Sequence, residues 1–348
     1  MSSIHISAAR REYRTGREGK STHDQRSKHH QASLEGGKEV STQSKTSRAF
    51  KRAKRNWQLY VIVALPVIWL LIFKYGPMYG VQLAFKNFQI RDGIWGSPWI
   101  GWDNFKRFFE FKEFWMLIKN TLGISIYQLL AGFPIPIVLA LALNATMNLK
   151  FKKTVQFVTY MPYFISVVVL VGMVLSFTNT RTGIFNTLLG KVGVSPVHFM
   201  GKPEWFKSIY VWSGIWQHMG YNSIIYIAAL AGIDMDIHEA AVIDGASRFQ
   251  RVRFIDFPGI LPTVITLLIL NSGSIMSVGF EKVWLMQSTL NRTTSEIIST
   301  YVYKISLASN APQFAYATAI GLFNSVINMI LLLSVNNIAK KVSETSLW

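Results

Sequence analysis

The residues with the most chemical potential lie in HEAAVIDGASRFQRVRFIDFP (His238 to Pro258), a charged element set between two long apolar runs. Asp236-Ile-His-Glu239 has the form of a capping box, in which Asp236 accepts from the Glu239 backbone N–H and Glu239 reaches back. Ala240, Ala241, Val242, Ile243 and Asp244 extend that helix, Gly245 suits the left-handed position that ends it, and Ala246 keeps the corner small. Ser247-Arg-Phe-Gln250 repeats the capping pattern and opens a second helix that Pro258 is expected to stop. On it Phe249, Val252 and Ile255 recur at i, i+3 and i+6, with Arg248, Arg251 and Arg253 on other faces. Such an element binds rather than catalyses. It fits the groove of another protein, and it equally fits a loop resting its apolar side on lipid headgroups.

A second set of groups suits a polar solute. Polar side chains inside apolar spans cost several kcal/mol if they face lipid, so they face partners or a watery path. Asn271 and Ser274, with Ser277 beside them and Glu281 at i+10, lie on one helical face. Gln217 with Tyr221, and His218 with Asn222, are i,i+4 pairs, as are Asn324 and Asn328, while Asn120 and Gln128 share another run. Amides and hydroxyls hydrogen-bond sugars, and Trp216, Tyr221 and Tyr226 supply stacking rings. The same residues also serve as interhelical glue, and Gly273 with Ser277 is a small-residue packing pair. Glu281 suits the hydrated external membrane edge, and His218 a structural hydrogen bond. No catalytic constellation emerges, and none of the seven histidines has metal-site spacing with a second ligand. GREGKS (Gly16 to Ser21) lacks two of the four residues a phosphate loop needs between its glycines.

These groups require helices that cross a bilayer. Half of the 348 residues are hydrophobic, and no soluble domain could bury so many long apolar runs. Six segments approach the roughly 20 residues that a span requires: Trp57–Phe73, Met116–Leu143, Val155–Phe177, Ile209–Leu230, Ile260–Phe280 and Ala315–Val335. The first extends toward Phe85 beyond a kink expected at Gly76-Pro77. Net charge is +18, and residues 1–56 hold 14 Lys/Arg against 5 Asp/Glu with almost nothing apolar. That stretch reads as a disordered basic tail able to meet anionic lipid. Arg10-Arg11 is not followed by the apolar run of a twin-arginine signal, and the absence of cysteine excludes disulfides. Lys51, Arg52, Lys54 and Arg55 abut the first span and put the N-terminus in the cytoplasm. Six spans return the C-terminus there and make residues 236–258 cytoplasmic.

Glu239-Ala240-Ala241, three residues, Gly245, nine residues, then Ile255-Asp-Phe257-Pro258 resembles the signature loop of binding-protein-dependent ABC importer permeases. Phe257 stands where that family usually has Leu. FKYGPMYGVQLAFKNF (Phe73 to Phe88), SVGFEKVWLMQ (Ser277 to Gln287), TYVYK (Thr300 to Lys304) and YATAIGLFNSVINMILL (Tyr316 to Leu332) are similar to the oligosaccharide subgroup. The resemblance implies an all-α polytopic fold, six transmembrane helices with a MetI-like permease core over residues 57–341, in a bacterial cytoplasmic membrane. It implies that 236–258 is a coupling helix loop docked on a cytoplasmic ATPase. The implied partners are a second homologous permease, two ATPase subunits that bind ATP and Mg, an extracellular substrate-binding lipoprotein and membrane lipids, with no nucleic acid. No cofactor is expected on this chain, nor enzymatic activity. The implied cargo is a polysaccharide-derived oligosaccharide, with another solute class as the alternative. An intramembrane enzyme would need a nucleophile–base pair, and His218 lacks an acidic partner at helical spacing. A channel or ATP-independent transporter would need charged filter residues or paired broken helices.

Overall fold

The computed structural model describes residues 54–343. The expected tail therefore lies, except for residues 54–56, outside the described residues, as do Arg10-Arg11, GREGKS, Lys51 and Arg52. The chain divides into two compact units, Met1–Gly76 and Pro77–Trp348.

The described part of the first unit is α1 (Trp57–Leu70) and a π-helical turn, Leu71–Tyr75. No residue of α1 is buried, as befits a helix that is apolar all round apart from Gln58 and meant for lipid or a partner. The Gly76 N–H reaches back five residues to the Leu71 carbonyl. That wide turn accommodates Pro77, which has no N–H to donate.

The second unit begins with a short helical piece and a 3₁₀ run, Tyr79–Phe85. It continues through α2 (Asp103–Phe109), α3 (Phe114–Gly132), α4 (Pro134–Ala145), α5 (Leu149–Tyr160), α6 (Val167–Phe177) and α7 (Ile184–Lys191). Then come α8 (Pro203–Leu230), α9 (Met235–Ile243), α10 (Arg248–Arg251), α11 (Phe257–Ser272), α12 (Phe280–Met286), α13 (Ile298–Ser306) and α14 (Phe314–Ser343). Among the described residues no strand forms; one isolated bridge joins Lys86 and Trp99. The fold is all-α.

Among the described residues four helical runs are long and apolar enough to cross a membrane: Trp57–Phe85, Phe114–Ala145, Arg248–Ser272 and Phe314–Lys341. The expected span Val155–Phe177 is not one straight helix. Leu149–Phe164 and Val167–Phe177 meet at 102°, giving a broken span or a re-entrant loop. Ser166 caps α6 at the break by accepting from the Val169 N–H. The expected span Ile209–Leu230 forms the C-terminal part of α8, 28 residues long, but Ser213, Gln217, His218, Asn222 and Ser223 dilute its apolar character below that of the other four. The expected Ile260–Phe280 stops early: α11 ends at Ser272, and Glu281 belongs to α12, not to the face of Asn271.

One core cluster joins Ile137 and Ala140 of α4, Tyr226 and Leu230 of α8, and Ile260 and Val264 of α11. Another joins Ile124, Phe206, Tyr210, Ile215, Val283, Met286 and Ile297. A fully buried carboxylate, Glu296, braces the loop before α13. Its Oε2 accepts from Arg292 Nε at 2.9 Å and Lys304 Nζ at 2.6 Å, and its Oε1 from Thr300 Oγ1 at 3.2 Å. Arg292 also donates to Glu113 at 2.9 Å, tying this cluster to the start of α3. Glu296→Gln is expected to lower stability on the order of 3 kcal/mol, the lower end for a broken buried pair because both cations are partly exposed. Thermal unfolding in detergent checks this; an unchanged midpoint would mean the cluster is not structural.

Candidate functional site: a polar cavity and a helical joint

A cavity of about 340 Å³ opens between α3, the start of α4, α8, α11 and the segment that follows α11. Ser125 and Gln128 reach it from α3, His218 and Asn222 from α8, and Asn271, Ser274 and Ser277 from α11 and the turn after it. Leu129, Phe133, Ile215, Tyr226 and Val278 make up much of the remaining wall, and no Lys, Arg, Asp or Glu lines it. This mixture, hydroxyls and amides on an apolar ground, suits a solute that offers both hydrogen-bonding groups and apolar faces.

The segment after α11 owes its shape to α14. The Met276 N–H donates to Asn328 Oδ1 at 2.8 Å, and Asn328 Nδ2 donates to Ser277 Oγ at 2.9 Å. Asn328 thus holds open the turn where Ser272, Gly273 and Ser274 make poor helix. Asn271 Nδ2 donates to the Leu267 carbonyl at 2.8 Å, and His218 Nδ1 lies 3.0 Å from the Gly214 carbonyl.

Of the sequence candidates, Gln128, Asn222, Asn271, Ser274 and Ser277 come together here. The others do not. Gln217 is buried and its Nε2 donates to the Ile165 carbonyl at 2.8 Å, which satisfies the backbone at the α5–α6 break. Asn120 donates to the Thr293 and Glu296 carbonyls at 2.8 and 3.0 Å, anchoring the loop before α13. Tyr221 stacks flat on Tyr163, with ring centroids 3.7 Å apart. Asn324 is not in the wall, and its Oδ1 is buried without a hydrogen-bond partner. His218, read from the sequence as making a structural hydrogen bond, makes one to Gly214 and also lines the wall, while Ser125 was missed. Ser125 sits three residues before Gln128, so its place was readable from helical spacing.

The joint at residues 236–258 is built differently from its sequence reading in three respects. The cap of α9 is Asp234, whose side chain accepts from the Asp236 N–H at 3.0 Å, so Asp236 and Glu239 form no capping box. Pro258 does not stop the second helix. A π-helical turn, Val252–Asp256, links α10 to α11, and the Phe257 N–H donates back to Val252, so Pro258 enters the first turn of α11 without an orphaned bond. The stripe of Phe249, Val252 and Ile255 is split: Phe249 is exposed, whereas Val252 and Ile255 are half-buried.

The corner itself is a Schellman closure. Ala246 N–H donates to Ala241 at 2.9 Å and Gly245 N–H to Val242 at 3.0 Å, with Gly245 at φ 79°. Ser247 and Gln250 form a complete capping box. Glu239, Ala240 and Asp244 are exposed, as are Ile237, Ile243, Phe249 and Phe254, with Ile243 86% exposed. His238 Nε2 lies 3.3 Å from Asp256 Oδ1, which also accepts from Asn144 of α4 at 3.2 Å. The outer surface of the joint thus carries exposed apolar side chains among charged ones, and its inner surface is tied to the helices that wall the cavity.

Comparison with known proteins fits this arrangement. A family profile described as "binding-protein-dependent transport system inner membrane component" matches residues 132–344. The chain is 40% identical to Protein LplB of Bacillus subtilis (strain 168), over 85% of this chain and 92% of that one. It is 38% identical to the polygalacturonan/rhamnogalacturonan transport system permease protein YteP of the same organism, over 83% and 90%. A crystal structure of a bacterial ABC transporter involved in the import of the acidic polysaccharide alginate superposes with a TM-score of 0.78 at 40% identity, covering 85% of this chain and 99% of that one. A bacterial alginate ABC transporter in complex with an alginate pentasaccharide-bound periplasmic protein superposes at 0.79 with 38% identity, covering 86% and 100%.

Proposed function

The chain belongs to the family of binding-protein-dependent transport system inner membrane components, and from that premise we propose that it is the permease subunit of an ABC importer carrying polysaccharide-derived oligosaccharides into the cytoplasm. The observation that carries this reading is the cavity of amides and hydroxyls between α3, α8 and α11. Planar amides and hydroxyls match the paired hydroxyls of a sugar, and the apolar wall matches its C–H faces.

The full translocator pairs this chain with a second permease, two cytoplasmic ATPase subunits that hold ATP and Mg, and an external substrate-binding lipoprotein. This chain binds no cofactor of its own and performs no chemistry. It sits in the cytoplasmic membrane with both ends in the cytoplasm. Glu239, Ala240, Ala241, Asp244, Gly245, Ala246 and Pro258 belong to the joint that receives the ATPase. The exposed Ile237, Ile243 and Phe249 supply apolar surface for a groove, while His238, Asp256 and Asn144 pass movement to α4 and α11.

Asn271 provides the test. In proteoliposomes containing the whole complex, Asn271→Ala is expected to raise the half-saturating oligosaccharide concentration roughly five-fold, the loss of about one net hydrogen bond. ATP hydrolysis measured without solute should persist. An unchanged half-saturating concentration together with a lower melting temperature would mean that Asn271 is interhelical glue and that the cavity is not the path.

A further inference from the structure

Lys282 is a buried cation that the transport reading leaves unused. It sits on α12, outside the helices long and apolar enough to span, and is 8% exposed. Its Nζ donates to the Tyr210 carbonyl at 2.8 Å and lies 4.6 Å from the centroid of the Tyr210 ring. Among the described residues no carboxylate pairs with it, in contrast to Arg292 and Lys304, which share Glu296. Desolvation without a counter-charge pushes its pKa down to about 7.

The place of this ammonium matters more than its burial. A Cβ added to Gly214 would come 3.1 Å from Lys282 Nζ, and Gly214 is part of the cavity wall. Gly279, a second wall residue, would bring a Cβ 3.1 Å from the Tyr210 hydroxyl, on the same side chain that Lys282 covers. The wall is thus thinned to bare backbone where the cation stands behind it, and the wall itself holds no charge. In a low-dielectric setting a charge only a few ångströms behind a wall is felt inside the cavity, whereas in water it would be screened.

Resting on the oligosaccharide reading above, we propose that Lys282 is the charge-reading residue of the path: standing behind Gly214 and Gly279, it favours a solute bearing a carboxylate, such as a uronate oligosaccharide, over the same sugar without charge. A carboxylate entering the cavity supplies the counter-charge that the protein omits, and it restores the proton that burial disfavours. Neutral sugars gain nothing from it. Lys282 acts across the backbone and is a specificity residue, not a contact residue.

The whole purified complex in nanodiscs, without the external binding protein, is titrated calorimetrically with trigalacturonate and with its fully methyl-esterified form. The two probes share one skeleton and differ in charge. Wild type is expected to bind the acid at least about ten-fold more tightly than the ester. Lys282→Gln, which keeps a donor for the Tyr210 carbonyl, should lose that difference while binding the ester within two-fold of wild type; Lys282→Arg should keep it. Retention of the acid preference in Lys282→Gln overturns the proposal, and so does an equal loss for both probes, which would make Lys282 a mere prop for α8. If neither Lys282 variant assembles, the wild-type comparison still decides, because equal affinity for acid and ester contradicts a charge reader. A wild type that binds the ester but not the acid sinks this inference alone. Failure to bind either probe removes the oligosaccharide reading together with it.

Discussion

Gly245→Val is expected to leave ATP hydrolysis running while uptake per ATP falls several-fold. Gly245 has φ 79°, and a Cβ built there meets nothing within 4 Å in this chain. The internal cost is therefore backbone strain alone, about 1–2 kcal/mol for a side chain in the left-handed region, and higher for a β-branched one. That amount shifts the closed corner about five- to thirty-fold toward open forms. The open space around Gly245 gives a way to separate strain from crowding. Asn tolerates the left-handed region, so Gly245→Asn should restore coupling if strain is the fault. If instead the ATPase groove closes tightly on this corner, Asn should fail as badly as Val. Sugar uptake and phosphate release are measured together in proteoliposomes, with ATPase association checked beforehand. Wild-type coupling in assembled Gly245→Val would remove the joint from the mechanism and leave it a membrane-surface segment.

The corner was legible because its determinants are local. A glycine after a capped run, followed by Ser-x-x-Gln, specifies a Schellman closure and a capping box within a dozen residues. The errors arose where two local solutions competed. Asp234 and Asp236 are both fit to cap, and Asp234 accepts the bond because α9 begins at Met235. Pro258 looks like a terminator, yet a π-turn makes it an opening residue, and nothing short of the backbone bonds distinguishes the two.

The cavity was only partly legible for a related reason. Gln217 and Gln128 are the same residue type in similar apolar helices, and what separates them lies far away in sequence. Gln217 meets a carbonyl freed at Ile165, 52 residues back, whereas Gln128 faces the open space. Asn120 is likewise consumed by carbonyls more than 170 residues ahead. The early end of α11 depends on Asn328 of α14, so periodicity alone carried the helix too far and placed Glu281 on the wrong element. Lys282 gave no signal at all in sequence, because a lysine beside Glu281 reads as a surface charge until its burial is known.

The break at Ile165 depends on how closely α5 approaches α8, and Gly220→Ala is expected to be a strongly disruptive single-methyl change. A Cβ at Gly220 would stand 2.2 Å from the Thr159 carbonyl oxygen and 2.4 Å from its carbonyl carbon. The clash is with backbone, which cannot swing aside as the end of a flexible side chain can. The two helices must separate, at a cost near or above the upper end of overpacking, about 3 kcal/mol. The separation would also strain the Gln217–Ile165 hydrogen bond and the Tyr163–Tyr221 stack, both within a turn of Gly220 or Thr159. Gly172 of α6 is the control, since a Cβ there meets nothing within 4 Å. By helix propensity alone Gly172→Ala should be neutral or stabilising by up to about 1 kcal/mol. Melting temperature in detergent and the yield of assembled complex are therefore expected to fall for Gly220→Ala and hold for Gly172→Ala. Equal stability of the two would mean that α5 and α8 do not touch at Gly220 in the assembled transporter, and that the broken span is held by something other than this contact.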